Sequence, residues 1–180
     1  TTKRLLEWCS ENGVGKFLIS STAAVYGNPT KFPVNESDEL FPMSPYAEWK
    51  LESEKLMKEY SDTIQCTVLR LFNVFGEGQP SSGSYAPAVA LFMKQFKSGN
   101  PITVTGDGLQ TRDYIYVGDV VRAFLSGIER QQSNYEIMNV GTGKELTILE
   151  IAKCVSPSGE IQHIDPRVEP RRSVADVSKI

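Results

Sequence analysis

The chain predicts an α/β fold on a largely parallel sheet. Short apolar runs recur at Phe17–Ile19, Cys66–Leu71 and Tyr135–Val140, the length of buried strands rather than of core helices. Stretches with apolar residues at helical spacing alternate with them, and Gly-, Pro- and Asn-rich punctuation separates the two kinds. Strand and helix in alternation is the pattern that places parallel strands side by side with helices on the faces.

Residues 3–12 read as a helix with Leu5, Leu6 and Cys9 inward, stopped by Gly13 and Gly15. Phe17-Leu18-Ile19-Ser20 follows as a buried strand and runs into Ser20-Ser21-Thr22-Ala23-Ala24-Val25-Tyr26-Gly27. Small hydroxyl residues at the carboxyl end of a parallel strand fit either a ligand-binding edge or an ordinary Ser/Thr turn. Residues 28–43, rich in Pro, Asn, Asp and Glu, read as a surface loop. Ser44 suits an N-cap and Pro45 a first helical position, so a helix is expected from there to about Tyr60, with an apolar stripe at Ala47, Leu51, Leu56, Met57 and Tyr60. Cys66–Leu71 is the next strand, ending in Phe72-Asn73-Val74-Phe75-Gly76, and residues 76–84 form a glycine-rich loop. Residues 85–97 read as a helix with Val89, Phe92, Met93 and Phe96 on one side. Then come a strand at Ile102–Val104, a turn at Gly106-Asp107-Gly108, an alternating strand at Arg112–Val117, a helix from Asp119 to Arg130, and a strand at Tyr135–Val140. A turn at Gly141-Thr142-Gly143 leads to a helix from Thr147 to Cys154, and the remainder carries Arg167 and the basic pair Arg171-Arg172.

With 180 residues, 40% of them hydrophobic, the chain can bury a domain-sized core. A net charge of −3 provides no basic field for nucleic acid. No apolar run is long enough to span a bilayer. Cys9, Cys66 and Cys154 lie far apart without metal spacing, which points to reduced thiols and a cytoplasmic setting, and His163 has no partner motif. No glycine set fits the dinucleotide fingerprint or a P-loop.

Tyr46 and Lys50 stand four apart at the head of the helix that opens at Ser44-Pro45. That spacing puts a phenol and an ammonium on one helix face. The pair is either a solvated surface pair or a base and its activator. An ordinary phenol, pKa about 10, is a weak base at neutral pH, and a neighbouring cation favours the phenolate. Reaching about 7 takes roughly 4 kcal/mol. A phenolate so obtained takes a proton from an alcohol while hydride leaves the same carbon.

Six motifs occur in order: SSTAAVYG (20–27), SPYAEWK (44–50), RLFNVFGEGQ (70–79), TGDGLQTRDYIYVGDV (105–120), NVGTG (139–143) and RRSVADVSK (171–179). Together they resemble the extended short-chain dehydrogenase/reductase family, the NAD-dependent epimerases and dehydratases, and within it the UDP-glucose and UDP-N-acetylglucosamine 4-epimerases. The resemblance implies a Rossmann-like doubly wound parallel sheet, of which only the C-terminal part stands here without the glycine-fingerprint half, plus a small α/β substrate-binding region. It implies a division into 1–80 for the cofactor domain and 81–180 for the substrate region, with a segment near 112–140 returning to pack on the cofactor sheet. By the same reasoning the sequence is the C-terminal two-thirds or less of a longer polypeptide with its extreme C-terminus trimmed. These 180 residues alone are then expected to be inactive and to bind NAD poorly.

Carried over by position, Tyr46 is the base, Lys50 orients the nicotinamide ribose, and Thr22 bridges the sugar O4 and Tyr46. Ser20, Ser21 and Phe72 line the nicotinamide side. Asn73 and Arg112 hold the nucleotide diphosphate, with Arg167 as a second cation; for Arg112 a structural salt bridge is the alternative. No metal is implied. The implied cofactor is NAD, the substrate a UDP-hexose, and the partner a second copy of the chain, paired through the helices at 3–12 and 46–60. Dehydratases of the family carry Asp-Glu after the Thr22 position and decarboxylating members a Glu at its second place. Ala23 and Ala24 stand here, which favours epimerisation at C4. Ser173 occupies a position where glucose-restricted epimerases carry Tyr, so room for a 2-acetamido group is expected. The alternatives are another sugar-nucleotide dehydratase or reductase of the family, and a catalytically silent dinucleotide-binding protein.

Overall fold

The computed structural model describes residues 1–83, 86–130, 133–167 and 169–180. Helix α1 spans Thr2–Glu11, strand β1 Lys16–Thr22, and a 3-10 turn Ala23–Tyr26; helix α2 covers Pro45–Glu59 and strand β2 Gln65–Leu71. Then follow β3 (Asn73–Phe75), α3 (Ala88–Lys97), β4 (Ile102–Thr105), β5 (Thr111–Tyr116) and α4 (Val117–Glu129). The chain continues through β6 (Tyr135–Val140), β7 (Glu145–Thr147), α5 (Ile148–Val155) and β8 (Ile161–Ile164). Ser84, expected in a loop, and Tyr85, expected to open the third helix, lie outside the described residues.

The central sheet is parallel in the order β1-β2-β6, with Lys16 opposite Gln65, Thr22 opposite Leu71, and Leu71 opposite Val140. All three strands therefore end together, and the Ser20–Thr22 hydroxyls share that edge with Phe72. Strand alternation sends Cys66, Val68 and Arg70 to one face and Leu69 and Leu71 to the other. On the first face Cys66 and Val68 pack with Leu6, Cys9 and Met57 of α1 and α2. On the second, Leu69 packs with Ile115, Val120, Met138 and Val140. A further core joins Phe92, Ile102, Val104, Ile148, Ile151 and Ala152. There β4 pairs with β8 in parallel, while β5 lies between β3 (parallel) and β7 (antiparallel).

Several side-chain expectations are corrected. Leu5 is 48% exposed whereas Leu6 is fully buried, because α1 turns only one narrow stripe inward. On α3 Phe92 is buried, but Met93 and Phe96 are exposed. The α2 stripe does bury Ala47 and Met57, yet it also buries Glu54, an acid that hydrophobic periodicity passes over. Strands β3, β7 and β8, of three or four residues, were not expected; each is too short to show a period. Cys9 and Cys66 are buried and Cys154 exposed; burial, with Cys9 alongside, pushes the Cys66 thiol up to about 11. Among the described residues no helix is long and apolar enough to cross a membrane.

Candidate active site

Ser44 caps α2 by accepting the Ala47 N–H at 3.2 Å, and Pro45 takes the first turn, as the sequence dictates. Tyr46 therefore sits at the mouth of the helix, 54% exposed. One turn on, the Lys50 ammonium lies 5.8 Å from the Tyr46 ring centroid and donates to the Ser20 carbonyl at 2.7 Å. That bond ties the helix to the carboxyl end of β1. Ser20, Lys50, Leu18, Ile19 and Phe124 line a cavity of about 350 Å³.

An ammonium has three donors. With one spent on Ser20, Lys50 keeps two for a ligand's hydroxyls. Leu18 and Ile19 border this cavity from opposite faces of β1, Leu18 turned toward Gly127 of α4 and Ile19 toward the α1–α2 core. The free Lys50 donors fit the hydroxyls of a ribose, while Phe72, expected on the nicotinamide side, lines a different cavity. Ser21 does not join Lys50 through its side chain: it is 3% exposed and donates its hydroxyl to the Glu54 carboxylate in a short hydrogen bond.

The other expected residues gather on a second cavity of about 160 Å³, walled by Thr22, Ala23, Ala24, Phe72, Asn73, Arg112 and Ser173. Thr22 begins the 3-10 turn and accepts the Ala24 N–H at 3.2 Å. The turn closes at Gly27, whose φ is +65° and where a Cβ would meet the Phe41 carbonyl oxygen at 1.9 Å, so only glycine brings the 28–43 loop this close. Asn73 donates its amide to the Asp113 carbonyl at 3.0 Å. Arg112 lines this cavity and a neighbouring one of about 300 Å³. Its guanidinium pairs with Glu169 and donates to the Thr111 carbonyl, both at 2.7 Å. Arg167 is not with them: it lines a cavity of about 340 Å³ with Thr105, Gln110, Glu169 and Arg171. Beside it Arg171 grips Asp107 bidentately and holds that carboxyl down to about 2.

Sequence reasoning missed the polar framework behind these cavities. Arg70 is buried on β2 and donates to both Glu54 oxygens, at 3.1 and 2.8 Å, and to the Tyr26 hydroxyl at 3.0 Å. Tyr26 in turn donates to Asn139 Oδ1 at 2.7 Å. Burial pushes the Tyr26 phenol up against the opposing Arg70 charge. It also missed Asp113, fully buried, whose carboxylate accepts from Thr142 N, Thr142 Oγ1, Gly143 N and Ala175 N at 2.7–3.2 Å. A Cβ at Gly141 would stand 2.7 Å from that carboxylate, which explains the glycine. The signals were present: Glu54 continues the four-residue step of Tyr46 and Lys50, and Arg70 keeps step with Cys66 and Val68.

Residues 1–141 match the NAD dependent epimerase/dehydratase family. A putative UDP-glucose 4-epimerase of Methanocaldococcus jannaschii is 38% identical over 83% of this chain and 49% of its own length. A solved UDP-N-acetylglucosamine 4-epimerase from Methanobrevibacter ruminantium, in complex with UDP-N-acetylmuramic acid, superposes with a TM-score of 0.95 at 31% identity, over 98% of this chain and 59% of that one. A UDP-glucose 4-epimerase of Thermotoga maritima with UDP-glucose gives 0.93 at 35% identity, over 99% and 60%. The chain thus spans about half the length of the curated relatives it matches.

Proposed function

Since the chain belongs to the NAD dependent epimerase/dehydratase family, we propose that it supplies the proton-transfer and sugar-nucleotide residues of an enzyme that inverts C4 of a UDP-hexose through a 4-keto intermediate. The observation that carries this is the Tyr46–Lys50 pair, clamped by the Ser20 carbonyl at the strand edge where Thr22 opens the second cavity. Two solved relatives hold UDP-linked molecules, which supports uridine as the nucleotide.

Tyr46 takes the proton of the C4 hydroxyl, with the Thr22 hydroxyl holding O4 toward it. Lys50 holds the nicotinamide ribose and places a positive charge beside the phenol. NAD, when bound, supplies a reversible hydride acceptor for C4. Asn73, Arg112 and Arg167 bind the diphosphate, Arg112 by exchanging or sharing its bond to Glu169. The keto sugar turns about its diphosphate link while that end stays held, and Tyr46 returns the proton once C4 is reduced from its other face. Ala23 and Ala24, in the cavity wall, offer no acid for loss of water, which keeps the reaction at C4. The division into a cofactor part at 1–80 and a substrate part at 81–180, with 112–140 returning to the sheet, belongs to the same reading. It is supported by β6 pairing on β2 and by α4 packing on β1 and β2.

The test is to incubate the full-length polypeptide with UDP-glucose and with UDP-N-acetylglucosamine, without reductant, and to follow C4 configuration by proton NMR. Both epimers are expected, because Ser173 leaves space beside Thr22. Ser173→Tyr is expected to remove turnover of the N-acetyl sugar selectively; equal loss on both sugars refutes the size argument, and no epimer in either tube refutes the function.

The setting is cytoplasmic in this reading and the enzyme a homodimer. Leu5 and Trp8 on α1 and Trp49 on α2 are 48–72% exposed, large apolar side chains on the two helices that would meet a second copy. Sedimentation equilibrium is expected to give twice the monomer mass. Trp49→Glu is expected to shift it to the monomer, and a monomer before substitution would rule the pairing out.

A further inference from the structure

We infer that Glu54 is a positioning residue for the Tyr46–Lys50 pair, acting through Ser21 and the Ser20 carbonyl; the inference rests on reading those two residues as the reacting pair. Tyr46, Lys50 and Glu54 follow one another at four-residue steps along α2, yet their surroundings change from solvent to core. Tyr46 is 54% exposed and Glu54 2%. Lys50 and Glu54 bond to consecutive residues of β1: Lys50 donates to the Ser20 carbonyl at 2.7 Å, and Glu54 accepts the Ser21 hydroxyl. One bond between helix and strand leaves a pivot. Two bonds, one helical turn apart and landing on adjacent residues, fix both the height and the rotation of the helix against the strand end.

The clamp is itself anchored. Arg70 donates to both Glu54 oxygens and continues to the Tyr26 hydroxyl at 3.0 Å and the Glu36 carbonyl at 3.1 Å. Tyr26 donates to Asn139 on β6, whose amide donates in turn to the Val34 carbonyl at 2.9 Å. The Tyr135 hydroxyl reaches the Glu54 carbonyl at 3.2 Å from the same strand. Strands β1 and β2 thus bond the Glu54 carboxylate directly, and β6 bonds its main-chain carbonyl.

Stability alone does not call for an ion pair here. Burying two charges consumes most of their attraction, and apolar residues of equal volume commonly serve as well or better. A carboxylate with fixed directions for its donors does what a leucine cannot: it sets where the Ser20–Ser21 peptide points. Since Lys50 takes its position from that peptide, the orientation of its ammonium over the Tyr46 ring descends from Glu54.

Two variants of the full-length polypeptide test this. Ser21→Ala removes the hydroxyl and leaves both Arg70–Glu54 bonds in place; Glu54→Gln keeps the shape and weakens the grip. Lysine side-chain resonances are followed by carbon–nitrogen NMR, with Lys50 assigned through Lys50→Arg, and turnover is measured on whichever UDP-sugar the unsubstituted enzyme converts. Both variants are expected to move the Lys50 resonance and leave the other lysines unshifted. They are expected to lower kcat about tenfold with KM changed less than about twofold, the signature of a misplaced rather than a missing group. A Lys50 resonance that stays put in a folded variant, or an unchanged kcat, would show Glu54 to be a packing residue and overturn the inference. If Ser21→Ala does not fold, Glu54→Gln decides by the same readings. If the unsubstituted enzyme converts no nucleotide sugar, the epimerase reading fails by itself, and the Lys50 resonance still settles whether the clamp exists.

Discussion

Tyr46→Phe is expected to lower turnover of the full-length enzyme by about two to four orders of magnitude, the range in which a positioned acid–base group contributes. Binding of the nucleotide sugar is expected to change by less than about threefold, because the residues proposed to hold the diphosphate line cavities that Tyr46 does not. The variant is a clean probe. Tyr46 lies in the first turn of α2 with its ring more than half exposed, so removing the hydroxyl opens no cavity and disturbs no cap. The helix still begins at Ser44, and Lys50 keeps its bond to Ser20. The thermal midpoint should therefore match the unsubstituted protein. Proton NMR of C4 inversion measures the rate and isothermal titration the binding. Turnover within about tenfold of the original would mean that another group accepts the proton.

Asp113→Ala carries the largest expected cost in stability, about 2–4 kcal/mol. The carboxylate is fully buried and accepts four hydrogen bonds, three of them from backbone N–H groups at Thr142, Gly143 and Ala175. Deleting it strands the buried Ala175 N–H, at about 1–3 kcal/mol, and leaves the Thr142 and Gly143 donors, on exposed residues, to recover part of their loss from water. The sum is capped by local relaxation and by water entering the space left behind. Asp113→Asn is expected to fall between, since one oxygen still accepts while the new amide faces other donors. Urea unfolding with a common slope measures both. A loss below about 1 kcal/mol for the alanine variant would show that water replaces the carboxylate at little cost.

The sequence carried the strands of the central sheet because each centres on a short apolar run, and the start of α2 because Ser44 and Pro45 act locally. It carried Tyr46 and Lys50 because a four-residue step on a helix is a short-range fact. The strands β3, β7 and β8 exist only through their pairing partners, so nothing local announced them. The second cavity brings Thr22 together with Asn73, Arg112 and Ser173, which lie far apart in the chain; the motifs named these residues, and only the fold made them neighbours. Ser21 shows the limit of positional reasoning. Its type suited a ligand contact, but β1 turns its side chain to α2, where a buried acid claims the hydroxyl. For Arg112 the structural salt bridge to Glu169 is present, and the side chain also lines the cavity where a diphosphate is proposed to bind. Arg167 lines a separate cavity, which the sequence could not show.

The segment from Ser173 to Asp176 laces distant parts of the chain: its Ser173 carbonyl accepts the Asp113 N–H, Ala175 donates to the Asp113 carboxylate, and Val34 exchanges backbone bonds with Val174 and Asp176. On a ribosome the polypeptide emerges from its N-terminus, so the helices and strands of the central sheet can assemble while these residues are still in the exit tunnel. The Ser173 wall of the second cavity closes only when they appear. A nascent chain stalled short of Ser173 would have its phenol and ammonium in place while the second cavity still lacked this wall, so the two halves of the candidate site form in sequence rather than together.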